Sequence, residues 1–155
     1  MTPEIIVLFT SMIPFSDIKL AIPLGLEMGL SATTTFIFAV SGTILPAAII
    51  MALIGPASKF ARKNSKLMDR FFAKLFYTTR KKHYERFQRY GPIFIIFLVA
   101  VPFPGSGPVT GSMVSFLFGL DYWKALTLVV IGALIAGLLL TAGFNSIFAL
   151  LEAIG

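Results

Sequence analysis

Pro102-Phe103-Pro104-Gly105-Ser106-Gly107-Pro108 stands in the middle of an uncharged run of 30 residues, Gly91 to Leu120. Each proline removes a backbone donor and clashes with the preceding turn, so a helix entering this segment ends there. Two complete bilayer crossings need about 40 residues. The run is therefore either one broken crossing or a re-entrant helical hairpin that enters and leaves by the same face. Irregular backbone at membrane depth persists only where protein buries it or a wet cavity surrounds it. Such a tip offers amides to an anion and carbonyls to a cation. That makes Pro102, Pro104, Gly105, Ser106 and Gly107 candidate binding residues; the simpler alternative is a tight turn packed against another segment.

Composition identifies the solvent. Of 155 residues, 57% are hydrophobic and 13% are charged, against about 25% charged in soluble domains, so there is too little charge to coat a water-facing surface. The chain has no Cys, which excludes disulfides, Cys-ligated metals and a Cys nucleophile. No Ser-His-Asp arrangement, metal-ligand cluster or P-loop is visible, which points away from an enzyme and calls for no cofactor. The opening Met1-Thr2-Pro3-Glu4 lacks the basic start of a signal peptide.

The charges are unevenly placed. Eleven of the 13 basic residues fall between Lys59 and Arg89 with only Asp69 and Glu85 against them, a net +9 that leaves −3 for the rest. Nucleic acid is one partner for such a block. Flanked on both sides by apolar spans, however, it is better explained by the bias that keeps Lys and Arg on the cytoplasmic side. Within it, Lys59, Lys63, Lys66, Arg70 and Lys74 recur on one helical stripe and Leu67, Met68, Phe71, Phe72 and Leu75 on another. A basic amphipathic helix along an anionic leaflet is expected, inside a connector spanning 56–90. His83, the sole histidine, lies among these charges and is expected to face water or headgroups.

The chain repeats itself around this belt. Ile13-Pro14-Phe15 aligns with Val101-Pro102-Phe103 at an offset of 88, and Gly29-Leu30 and Gly42 align with Gly119-Leu120 and Gly132 at an offset of 90. The two-residue difference falls in the Gly/Pro-rich tip, where a length change is easiest to absorb. Each copy, 1–55 and 91–155, reads as a hairpin, about 4–29 or 91–120, followed by a transmembrane helix, about 31–54 or 122–150. With the belt inside, the second hairpin returns Asp121, Tyr122, Trp123 and Lys124 to the cytoplasmic side. Both termini then lie outside and the copies are inverted. Limbs of roughly 10 residues reach about 15 Å, half a ~30 Å core, so the two tips meet near the midplane. The expected fold is a single all-α polytopic membrane domain, an inverted repeat like that of transporters with broken helices.

The first tip carries the charges that this setting makes most expensive, Asp17 and Lys19. Asp17 is a candidate proton carrier, since a carboxylate removed from water binds a proton more readily. Lys19 is a candidate contact for an anionic headgroup, unless the two form an internal pair that only pins the hairpin. Pro23 and Glu27, along the same segment, are further candidate binding residues; Glu27 lies nearer the outer turn and is either a counter-charge for a cation or a residue facing headgroups or water. Ser31 and Asp121 precede the long spans as N-caps. Gly25, Gly29, Gly107 and Gly111 suit close helix packing. Thr33, Thr34, Thr35, Ser41, Thr43, Thr127, Thr141 and Asn145 are either pathway-lining residues or glue between helices. A symmetric homodimer is the expected way for so small a chain to enclose a path.

The stretches Asp17-Ile18-Lys19-Leu20-Ala21-Ile22-Pro23-Leu24-Gly25 and Pro102 to Gly111 resemble the family named putative small multidrug export proteins. Its members carry an acidic-Leu-Arg-Gly-Ala-Ile-Pro stretch in the first hairpin, and a Pro-Gly-Thr/Ser-Gly loop with a later Thr-Gly in the second. That family in turn resembles the DedA (VTT/SNARE-associated) superfamily, which has re-entrant hairpins and is implicated in moving lipid-linked phosphates or scrambling lipids. The resemblance puts Asp17 at the acidic position and Lys19 at the arginine position, with Leu20 where the family has glycine. The DedA arginines around the second tip have no counterpart between Ala100 and Gly111. What the resemblance implies is a proton-coupled transporter of an anionic amphipathic or lipid-phosphate substrate, or else an efflux protein for small lipophilic compounds. The rival from another class is a non-transporting scaffold.

Overall fold

The computed structural model describes residues 2–13, 16–64, 66–101 and 106–154. It is all helical among these: α1 (Pro3–Met12), α2 (Asp17–Glu27), α3 (Ala32–Asn64), α4 (Lys66–Tyr90), α5 (Ile93–Ala100), α6 (Pro108–Leu117) and α7 (Tyr122–Ile154). Ala32–Pro56 of α3 and Tyr122–Ile147 of α7 have mean hydropathies of 2.4 and 2.5 and are long enough to cross a membrane.

The short helices end where the sequence dictates. A residue before proline is pushed out of the helical region into extended backbone. Ile13 and Val101, each followed by proline, accordingly have φ/ψ of −76°/122° and −77°/119°. The second limbs end alike as well. Gly29 (φ +79°) and Gly119 (φ +72°) take the left-handed conformation that only glycine adopts without cost. The amides of Leu30 and Leu120 then reach back to the carbonyls of Gly25 and Ser115, at 3.1 and 3.0 Å, closing a Schellman turn. Gly29 is thus a turn glycine and not the packing glycine expected of it, since a methyl added there meets nothing within 4 Å. Ser31 caps α3 as expected, its hydroxyl accepting from the Thr34 amide at 3.1 Å.

Packing follows the same repeat. A methyl on Gly42 of α3 would overlap Ser11 Oγ and the Leu8 carbonyl of α1. One on Gly132 of α7 would lie 2.6 Å from Val99 Cβ and 3.0 Å from the Ile96 carbonyl of α5. These aligned glycines let the first limb of each half lie almost backbone to backbone on the long helix. The long helices run antiparallel. Gly137 faces Phe36 and Val40, while Ala47 and Met51 share one buried cluster with Val129 and Ala133, and Ala39 and Val40 share another with Ala136. The second limbs cross over: α2 packs on both α3 and α7, and α6 packs on both as well.

Two expectations about the basic segment are corrected. The helix beginning at Lys59 is not separate, because α3 continues through Pro56 to Asn64 and the next helix begins at Lys66. A change from apolar to basic side chains alters which solvent suits a helix, not its backbone, and 33 residues at 1.5 Å carry α3 well past a ~30 Å core. His83 does not face water: it is buried, 6% exposed, with its ring 5.8 Å from that of Phe94 on α5. It shares an inward stripe of α4 with Phe76, Thr79 and Phe87, which meet Phe116, Met113 and Phe118. Burial pushes the imidazole below its ordinary range, and Lys82 and Arg86 push the same way.

Candidate functional site

The break after Ile13 brings Asp17 to the start of α2 with a left-handed φ of +46°, a conformation in which Asp is among the better-tolerated residues. It is 5% exposed. Its Oδ1 accepts a hydrogen bond from the Thr43 hydroxyl of α3. On its other side lies the second half's tip: a methyl added to Gly107 would come within 2.6 Å of Asp17 Oδ2. Gly107 itself, just before α6, has φ +143°. Asp17 and Gly107 are 90 residues apart, the offset that relates the two Schellman turns, so equivalent positions of the two halves face each other.

Lys19, two residues further along α2, spans the same gap. Its Nζ donates to the Ser106 carbonyl at 2.7 Å. Ser106 is in turn held by its hydroxyl, which donates to the Val101 carbonyl at 2.6 Å. A carbonyl released by a broken helix thus takes a cation, the arrangement open to such tips. Below the tip, Ser112 Oγ of α6 bonds the Ala47 carbonyl of α3 at 3.3 Å, fixing α6 to the helix that carries Thr43.

Of the residues expected from sequence, the structure gathers Asp17, Lys19, Ser106 and Gly107. Pro23 is half-buried inside α2, and Glu27 is exposed at its far end, about 15 Å from Asp17 along the axis, so neither joins the cluster. Pro102, Pro104 and Gly105 lie outside the described residues. Gly25 and Gly111 are packing glycines, against Thr35 and Val99 respectively. Leu20 is 56% exposed. Thr43, expected as a pathway-lining residue or glue between helices, is here the partner of Asp17, a pairing that the sequence does not signal.

The other polar residues of the long helices divide. Thr33, Thr141 and Asn145 come together with Phe36 and Leu138 in a groove of about 340 Å³ between the start of α3 and the later part of α7. The Thr35 and Thr141 hydroxyls are buried with no hydrogen-bond partner among the described residues, whereas Thr127 turns back to the Trp123 carbonyl. The tip cluster is thus a buried acid beside Gly107 and a lysine that reaches from α2 to the Ser106 carbonyl, and the groove with Thr33 and Thr141 is a second polar feature of the two apolar spans.

Comparison with curated proteins and with solved structures gives no match. Residues 17–139, from the start of α2 through the second tip and into the middle of α7, match the sequence model described as Putative small multi-drug export protein, and the chain is a member of that family.

Proposed function

We propose that the protein exports small amphipathic compounds across the membrane, coupling export to protons carried by Asp17. The observation that carries this reading is the contact of both buried-tip charges with the second half: Asp17 against Gly107 and Lys19 on the Ser106 carbonyl. The family description supports export as the direction of function. In this reading α1–α2 and α5–α6 are re-entrant hairpins that enter from opposite faces. Each limb is about half a hydrocarbon core in length. The repeat is inverted, with the antiparallel α3 and α7 as its two spans. The +9 segment lies in the cytoplasm, both termini lie outside, and two copies associate. The bridge between Lys19 and Ser106 holds the tips closed. Protonation of Asp17 removes the charge that the Thr43 hydroxyl bonds, and substrate enters by way of the groove that Thr33 and Thr141 line. No bond of the substrate is made or broken, so the protein acts as a carrier and not an enzyme.

A second reading, translocation of a lipid phosphate as in the DedA superfamily, is favoured by the Lys19 ammonium at the tip. Flux in vesicles under an imposed pH gradient separates the two. Export of a cationic dye should fall at least tenfold in Asp17→Asn, as expected when an essential proton carrier is lost, and Lys19→Ala should uncouple it from the gradient. Unchanged flux in both variants would refute the mechanism. Competition by anionic lipid headgroups, with none by cationic dyes, would establish the second reading.

A further inference from the structure

The inward stripe of α4 leaves a second ordered face. Tyr77, Arg80, Lys81, Tyr84 and Glu85, at helical spacings of three, four, seven and eight, line an open cleft of about 290 Å³. The helix beneath it is anchored. The Phe87 ring stacks on Phe118 at 4.0 Å, and Tyr84 itself stacks on the same ring at 6.4 Å with 30° between planes. One wall of the cleft is therefore held by a neighbouring helix end. Its chemistry is mixed: a guanidinium fork and an ammonium, two phenols that are 68% and 46% exposed, and one carboxylate. Arg matches the geometry of phosphate oxygens with paired donors, and tyrosine rings prefer the boundary where one end is apolar and the other wet. Trp123, 76% exposed at the start of α7, and Tyr90, 55% exposed at the end of α4, are interfacial residue types of the kind that sit at headgroup level.

We propose that this cleft binds the headgroup of an anionic phospholipid from the leaflet that α4 faces. The phosphate lies between Arg80 and Lys81, and the glycerol end lies against the rings of Tyr77 and Tyr84. Glu85 sets the selectivity. Two cations and one carboxylate leave a single net positive charge, which suits a singly charged phosphodiester better than a doubly charged phosphomonoester. The site is independent of Asp17 and of any transported substrate.

The test uses the full chain with spin-labelled lipids, comparing phosphatidylglycerol with phosphatidylcholine. Wild type should retain phosphatidylglycerol preferentially. Replacing both Arg80→Gln and Lys81→Gln should lower that preference at least tenfold, as expected when charge-assisted contacts to one phosphate are lost. The charge-matched pair Lys66→Gln and Arg70→Gln should leave most of it. Glu85→Gln should raise it, a gain that misfolding cannot imitate. Equal losses from the two double variants would reduce the effect to general attraction and overturn the site. So would competition by inorganic phosphate as effective as that by the lipid, which would make the ligand a free anion.

Discussion

Asp17 combines three features in one residue: a charge placed between apolar runs, a left-handed backbone, and a carboxyl that accepts from Thr43 and lies beside Gly107. Its expense in an apolar chain was legible in the sequence, because the cost of an intramembrane charge depends only on its position between apolar runs. The identity of its partners was not legible, since Thr43 and Gly107 reach it through tertiary packing that no local pattern encodes. The glycines make a sharper test of packing at this scale. Gly42 and Gly132 align in sequence, and each lets a short helix touch a long one. Gly42→Ala and Gly132→Ala should each destabilise the fold by about 1–3 kcal/mol through overpacking, read as a lower unfolding midpoint in detergent. Gly143→Ala, where an added methyl meets nothing within 4 Å, should leave the midpoint unchanged or raised. Equal behaviour of all three would show that the close approaches do not carry stability.

Elements were read from sequence with uneven success, and the reason is physical. Short helices ended by Ile13-Pro14 and Val101-Pro102 are set by local sterics, so they appear where the prolines put them. The basic segment is governed by solvent instead. Its charge pattern says which surface each face prefers, but α3 runs on to Asn64 because nothing in the chain between Pro56 and Asn64 breaks the backbone. His83 was misjudged because its neighbours Lys82 and Arg86 point elsewhere, while its own spacing from Phe76 and Phe87 turns it inward. A titration follows from that burial. The folded state holds the imidazole below its ordinary value, so folding favours the neutral ring. The contact between α4 and α5 is complete above about pH 6.5, the unfolded value, and weakens as pH falls below it. Amide exchange in α4 and α5, corrected for its intrinsic pH dependence, should lose protection between pH 7.5 and 5.5, and His83→Phe should abolish that change. Constant protection in wild type would contradict the assignment.

At the scale of the whole molecule, residues that align in sequence have alike local structure: torsion angles at Ile13 and Val101, turns at Gly29 and Gly119, and glycine contacts at Gly42 and Gly132. The antiparallel packing of α3 on α7 sets the two turns at opposite ends of that helix pair. The proposed function has the two helix pairs as hairpins entering from opposite faces, with Asp17 and Gly107 meeting between them. Because the chain has no Cys, a single introduced thiol reports its own side of the membrane. Met28→Cys, beside the first turn, and Asp121→Cys, after the second, should be probed in oriented vesicles with a membrane-impermeant maleimide. The account predicts labelling of Met28→Cys only from outside and of Asp121→Cys only from the cytoplasmic side; labelling of both from one side would contradict it.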